Sequence, residues 1–240
     1  LFFFVILLSS KNIIVVFVLL ILIQIFFYSK IANKLRLRNL AIILIILGFI
    51  FSFGKIKDRF LVEFTSNTEK SLSPNMSIGI TKGVNIISIY EAWNNDKFTP
   101  NDYFPGTAFR VYQARMFFEF LEEEPIFWKG FGLFASRDNL RKRHLAFNTY
   151  YGYHGYNYHN MYAQIFSELG IFALLLLLAL LGLGVKKSFQ TKSFLMLMFY
   201  FLMIMIFISE SFLWVHRGVL FFTLFYCIFC RIDLIKKTIN

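Results

Sequence analysis

Long apolar blocks alternate with short basic tracts along this chain, and one long polar segment interrupts the alternation. A membrane-spanning helix needs about 20 apolar residues, within a range of about 17–25. Apolar blocks near this length predict five spans, at residues 13–28, 40–54, 161–184, 193–213 and 218–231, and residues 1–8 (LFFFVILL) predict the stub of another. The pattern therefore predicts an all-α polytopic membrane protein.

The basic tracts predict how these spans are oriented. Lys and Arg cluster in residues 29–39, in residues 185–192 and near the C-terminus, each beside an apolar block. Cytoplasmic loops of membrane proteins carry such an excess of basic residues. We therefore predict N-terminal membrane helices (1–54), an extracytoplasmic loop domain (55–158) and C-terminal membrane helices (159–240).

Composition supports a membrane protein and argues against a nucleic-acid-binding protein. The chain is 58% hydrophobic and only 16% charged, and its net charge is +11. The predicted loop domain holds 13 Lys and Arg against 11 Asp and Glu, so most of the positive charge lies in the tracts beside the apolar blocks. The charge is thus a topology signal, and no nucleic-acid partner is expected.

The second half of the loop domain predicts one amphipathic helix. Apolar residues recur at three- and four-residue spacing from Ala108 to about Glu122, which is typical of a helix with one buried face. They are Phe109, Tyr112, Met116, Phe117 and Phe120. Thr107 is the predicted N-cap, and Pro125 ends the helix.

Three features of this domain could carry chemistry. Arg110 lies near the start of the helix, EPIFWKGFG (124–132) places a proline before a glycine-flanked turn, and YHNMY (158–162) opens the span 161–184. Each has a structural alternative. Arg110 would be a solvated residue on the polar face of the helix, and the glycines would only permit a turn with positive φ. The tyrosines would form an aromatic belt at the membrane interface.

Together, these features resemble the O-antigen ligase / Wzy-type O-antigen polymerase superfamily. The resemblance rests on Arg110, Pro125, the GFG turn, and the HN pair that opens an apolar helix containing SELGIFALL. ESFLWVHRGVLFFTLFYCIF (210–229) is similar to the family's C-terminal pattern, so the resemblance covers about residues 105–230. Members have about twice as many spans, so a truncated copy, the C-terminal portion of a longer chain, is one expectation.

The resemblance implies a glycosyltransferase of lipopolysaccharide or polysaccharide biosynthesis at the outer face of the bacterial inner membrane. Its donor would be an undecaprenyl-diphosphate-linked glycan, its acceptor a glycolipid or glycan hydroxyl, and neither metal nor cofactor would be needed. The family pattern carries the catalytic roles onto His159 and Arg110. Ligase and polymerase remain equal alternatives, and a non-catalytic polytopic protein, such as a glycolipid transporter or assembly subunit, is the alternative from another class.

Further residues complete the expected site. Asn160, Tyr158, Tyr162 and Arg115 are the candidate substrate-binding residues. Arg115 lies five positions from Arg110, about 140° round the helix, so the two are not expected to share a face. His154 is the alternative base, and Glu168 is an acid within the predicted span 161–184, where acids are costly and often functional.

Overall fold

A computed structural model describes residues 11–28, 32–52 and 85–239. The predicted stub 1–8 and the first part of the predicted loop domain lie outside the described residues. In chain order the helices and strands are α1 (Lys11–Ile23, continued by a π-helical turn at Gln24–Tyr28), α2 (Asn33–Ser52), β1 (Asn85–Ile86), α3 (Ile89–Asn94), β2 (Asp102–Tyr103), α4 (Gly106–Glu123), α5 (Ile126–Lys129), α6 (Ala135–Ala146), α7 (Met161–Gln190), α8 (Phe194–Ser209) and α9 (His216–Ile239). Short 3-10 turns lie at Tyr151–Tyr153 and Phe212–Trp214.

The predicted helical class is confirmed, and each of the five predicted spans coincides with a helix. Within the described ranges, only α7 is both long and apolar enough to cross a membrane, with a mean hydropathy of 2.5 over its best window. Val16–Phe26 and α8 are shorter apolar helices. The number of spans and their orientation therefore remain predictions.

The described residues form two compact units. The apolar unit comprises residues 11–28, 32–45, 160–162 and 172–239, and the loop unit comprises residues 46–52, 85–159 and 163–171.

In the apolar unit, aromatic rings hold α8 against α9. Phe199 of α8 packs on Phe222, Phe225 and Phe229 of α9, with ring centroids 5.3–6.0 Å apart. Gly184 lets α7 approach α8 closely, because a Cβ at this position would lie 2.2 Å from the Tyr200 ring. Close packing through small residues is the usual way in which helices associate in membranes.

The core of the loop unit is built on α4, as the periodicity predicts. Phe109, Tyr112, Met116 and Phe120 are buried, and Phe117 is partly buried against the same cluster. Tyr112 has Phe98 and Phe104 as ring neighbours at 5.5 and 5.1 Å. Aromatic pairs in such geometries add about 0.5–1.5 kcal/mol each beyond the apolar area they bury.

The predicted N-cap at Thr107 is wrong. Helix α4 begins at Gly106 with Pro105 as its N-cap, and the cap makes no side-chain hydrogen bond. The start is instead fixed by a hydrophobic staple between Phe104, which precedes the cap, and Phe109, with ring centroids 6.0 Å apart. The helix ends at Glu123, before Pro125, as predicted.

Two short parallel strands, β1 and β2, pair before α4 in the loop unit. Asn85 pairs with Asp102 and Ile86 with Tyr103. The Asp102 carboxylate accepts hydrogen bonds from the Asn85 amide and the Thr99 N–H, which fixes the turn between the strands.

Candidate functional site

The first turn of α4 lies beside His159, the first residue of the HN pair, although the two are far apart in sequence. The His159 ring contacts Phe109 edge-on, with centroids 6.1 Å apart, and Tyr156 at 5.3 Å. Arg110 directly follows Phe109, and its guanidinium donates a hydrogen bond to the Gly106 carbonyl at 3.2 Å. Two residues of the predicted site, Arg110 and His159, therefore come from neighbouring segments, and both are partly exposed.

The backbone at His159 is unusual. Its φ is +47°, in the left-handed region that costs a non-glycine residue about 1–2 kcal/mol. The Asn157 side chain accepts a hydrogen bond from the His159 N–H at 2.9 Å. The next residue, Asn160, caps α7 by accepting from the Tyr162 N–H at 2.9 Å. The two asparagines thus fix the turn that carries the imidazole.

His154, the alternative base, is buried in the core. Its Nε2 lies 3.1 Å from the Thr149 carbonyl, which can only accept, so Nε2 carries the proton. Its ring stacks on that of His144 with centroids 5.8 Å apart. This position makes His154 a structural residue.

His144 is fully buried, and its pKa is lowered to about 3 by burial and, secondarily, by the neighbouring His154. Its Nδ1 lies 3.4 Å from the Tyr112 hydroxyl and 3.3 Å from that of Thr149. The sequence around His144, RDNLRKRH (137–144), is mostly basic and does not by itself predict a core histidine. A signal exists in the spacing, since Ser136, Leu140 and His144 are buried on one face of α6.

Three other predicted site residues have structural contacts. Arg115 donates to Glu119 at 2.6 Å, to the Asn95 carbonyl at 2.7 Å and to Asp96 at 2.5 Å. Tyr158 is 1% exposed and leaves no face open to a sugar; burial raises the pKa of its hydroxyl. The Tyr162 hydroxyl donates to the Ile204 carbonyl at 3.2 Å.

The glycine-flanked turn and the SELG stretch are two sides of one contact. Gly170 has φ +77° and interrupts α7, which leaves the carbonyls of the preceding turn without helical donors. The Phe131 N–H donates to the Ser167 carbonyl at 2.7 Å, and the Gly132 N–H donates to the Glu168 carbonyl at 2.9 Å. A Cβ on Gly170 would lie 2.3 Å from the Trp128 carbonyl oxygen, so only glycine permits this approach.

Side chains reinforce this contact. One Glu168 carboxylate oxygen accepts hydrogen bonds from the Ser136 hydroxyl and the Gln164 amide, each at 2.7 Å. The other end of the Gln164 amide faces the Tyr158 N–H at 3.4 Å. Glu168 is buried and belongs to the loop unit. The candidate span Met161–Gln190 includes Glu168, so the expectation of an acid inside a span stays a prediction, and the kink at Gly170 separates Glu168 from the apolar part of α7.

The described residues thus form a mostly helical chain with one helix long and apolar enough to cross a membrane, and a polar loop unit in which His159 lies beside the first turn of α4. The family model described as O-antigen ligase matches residues 1–178. The chain therefore belongs to the O-antigen ligase family, as the resemblance predicts, and this membership implies a role in polysaccharide assembly. The match includes Arg110, the GFG turn and the HN pair, whereas the pattern at 210–229 lies beyond it. Comparisons with curated proteins and with solved structures found no match.

Proposed function

We propose that the protein is a glycosyltransferase of the bacterial inner membrane that moves a glycan from undecaprenyl diphosphate to an acceptor hydroxyl at the outer face. One observation carries the proposal: in a chain of this family, the His159 imidazole lies beside the turn that bears Arg110, immediately before α7. A site for lipid-linked substrates must lie close to the membrane, and His159 directly precedes in sequence the helix that is long enough to cross one.

In the proposed reaction, the acceptor hydroxyl oxygen attacks the anomeric carbon and its proton passes to a ring nitrogen of His159. The bond between that carbon and the diphosphate oxygen breaks, and undecaprenyl diphosphate leaves with the bonding electrons. Imidazole exchanges a proton near neutral pH, so it suits this role. The planar Arg110 guanidinium can bind two oxygens of the leaving diphosphate and stabilise the charge that develops there.

The proposal keeps two of the expected site residues as catalytic groups and gives others different roles. Asn160 is a positioning residue, because it caps α7 next to His159. Tyr158 is buried, so the aromatic ring on which a sugar would stack is assigned to Tyr156 instead. Tyr156 is 45% exposed and contacts the His159 ring. Arg115 is omitted from the binding site, because carboxylates already hold its guanidinium.

The decisive experiment compares His159→Ala with His154→Asn. Each variant is expressed in a strain lacking the gene, and surface glycan and membrane protein level are both measured. Loss of a general base typically lowers the rate by about 10²–10⁴-fold, so we expect His159→Ala to insert normally and transfer no detectable glycan. His154→Asn should retain transfer in proportion to its folded level. Normal glycan from the His159 variant would refute the proposed mechanism.

The role of Arg110 is tested by a substitution that keeps its charge and changes the shape of the side chain. In Arg110→Lys the charge remains but the two-pronged donor geometry is lost. Transfer should fall strongly, whereas Arg115→Lys, at the residue held by Asp96 and Glu119, should act through stability alone. Equal loss of transfer per folded molecule in both variants would assign Arg110 a structural role.

A further inference from the structure

Exposed apolar side chains of the loop unit gather around α5 and the turn that leads into α6. Trp128 is 61% exposed and Phe134 is 63% exposed. Phe127 and Leu133 are exposed as well. Large apolar side chains exposed together in one short segment indicate a site of contact with a protein or a membrane.

The backbone at Phe134 supports a contact outside the unit. Phe134 has φ +62°, a conformation that costs a non-glycine residue about 1–2 kcal/mol. Positions 130 and 132 nearby also have positive φ, and both are occupied by glycine, which adopts this conformation without strain. At Phe134 the chain instead bears an aromatic ring that burial in this unit does not offset. Strained residues persist where a function retains them.

The charge of α6 indicates the chemistry of the contact. Ser136, Leu140 and His144 form its buried face. Arg137, Arg141 and Lys142 are exposed, with Asp138 as the one acid among the exposed residues of this helix. Exposed apolar side chains followed by an exposed basic helix complement an anionic bilayer surface.

This surface contacts α7 at its kink. The Trp128 carbonyl packs directly on Gly170, where α7 kinks. Leu169, immediately before the kink, is exposed, and exposed apolar side chains then recur along α7 at Phe172, Leu175, Leu176, Leu178 and Leu183. Trp128 thus contacts the residue that precedes the apolar part of α7 in sequence, and tryptophan is enriched at the ends of membrane spans.

We propose that residues 127–134 and the exposed side of α6 form an interfacial anchor that binds the surface of an anionic bilayer. The aromatic rings enter the boundary between headgroups and acyl chains, and Arg137, Arg141 and Lys142 bind lipid phosphates. This anchor holds the loop unit at a fixed height above the bilayer. It does not depend on glycan transfer, so its test reads lipid contact and not activity.

The first test uses the full chain with Trp93→Phe and Trp214→Phe, which leaves Trp128 as its single tryptophan. The protein is reconstituted in nanodiscs whose lipids carry bromine either near the headgroup or at the end of the acyl chain. We expect bromine near the headgroup to quench Trp128 more strongly than bromine at the chain end, and acrylamide to quench it weakly. Strong acrylamide quenching without a bromine effect would overturn the proposal.

The second test asks whether the contact depends on lipid charge. The same single-tryptophan protein is compared in phosphatidylcholine nanodiscs and in nanodiscs that also contain phosphatidylglycerol. Each basic residue near an anionic surface contributes about 1 kcal/mol, a factor of about five in the equilibrium between bound and open anchor. Anionic lipid should therefore reduce acrylamide quenching, and added salt should restore it.

Matched variants separate charge from fold. Combined Arg137→Gln, Arg141→Gln and Lys142→Gln should abolish the response to phosphatidylglycerol. Arg137→Lys with Arg141→Lys, which keeps the charge, should retain it. A triple variant that still responds would overturn the role of these residues. Protection of Trp128 by soluble polygalacturonate, with none by phosphatidylglycerol, would assign the surface to an acidic glycan and overturn the membrane proposal.

Discussion

The two parts of α7 form one helix in sequence but have opposite environments. Residues 161–169 include Gln164 and Glu168, which are buried and bond to each other and to Ser136 of the loop unit. Residues 171–190 expose leucine and phenylalanine side chains on one side. Gly170 separates the two. A single run of apolar residues can therefore hold both a membrane span and the scaffold of a polar site, provided that one glycine breaks the helix between them.

The largest expected effect breaks this separation. In Gly170→Ala, the new Cβ would lie 2.3 Å from the Trp128 carbonyl oxygen at a position with φ +77°. The unfavourable φ alone costs about 1–2 kcal/mol, and the backbone clash adds to it, so we expect a total loss above about 3 kcal/mol. The measurement is the free energy of unfolding in detergent, with yield as a second readout.

Gly182→Ala is the matched control for Gly170→Ala, since it lies in the same helix with no atom within 4 Å of its Cβ position. Replacing a helical glycine by alanine stabilises a helix by up to about 1 kcal/mol. If the two variants were equally stable, Gly170 would not be a required break in α7.

A smaller effect is expected from the polar network behind the break. Glu168→Ala leaves the Ser136 hydroxyl and the Gln164 amide buried without their shared acceptor. Hydrogen bonds to a charged group contribute about 1.5–3 kcal/mol, so we expect a loss of about 2–4 kcal/mol in unfolding experiments. Glu168→Gln, which keeps an acceptor oxygen, should lose less. The exposed Glu122→Ala should stay within about 0.5 kcal/mol of the wild type. A wild-type midpoint for Glu168→Ala would show that the network contributes nothing.

The buried histidine predicts a pH dependence that the apolar part of α7 does not share. The pKa of His144 falls from an unfolded value of 6.5 to about 3 on folding. Between these values the unfolded chain binds the extra proton, so folding is favoured as pH rises and weakened as pH falls. His144 should remove about 1.4 kcal/mol of stability per unit below pH 6.5.

The check is thermal unfolding at several pH values from 4.5 to 7.5, for the wild type and His144→Asn. The variant should be less stable at pH 7.5, because it disturbs the contacts with Tyr112 and Thr149. Its midpoint should nevertheless change less steeply with pH. Parallel curves for the two proteins would show that His144 does not cause the acid sensitivity.

The helices could be predicted from the sequence, but the contacts between them could not. The apolar periodicity gave the α4 core at Phe109, Tyr112 and Phe120, because a helix period is a local property. It missed the staple of Phe104 on Phe109 and named Thr107 as the cap instead. The burial of His154 and Tyr158 depends on residues distant in sequence. No local pattern could therefore separate them from the partly exposed His159 and Tyr156.

The smallest expected effect sharpens the comparison within the apolar part of α7. Leu176 is 63% exposed, whereas its neighbour Leu177 is 3% exposed. In detergent or lipid, the side chain at position 176 contacts acyl chains, and Leu176→Ala only makes that contact smaller. We therefore expect the free energy of unfolding to change by less than about 0.5 kcal/mol. Leu177→Ala opens a cavity between helices and should cost about 2–5 kcal/mol. The free energy of unfolding in mixed micelles measures both. A Leu176 variant as unstable as the Leu177 variant would mean that another protein surface, and not lipid, covers this side of the helix.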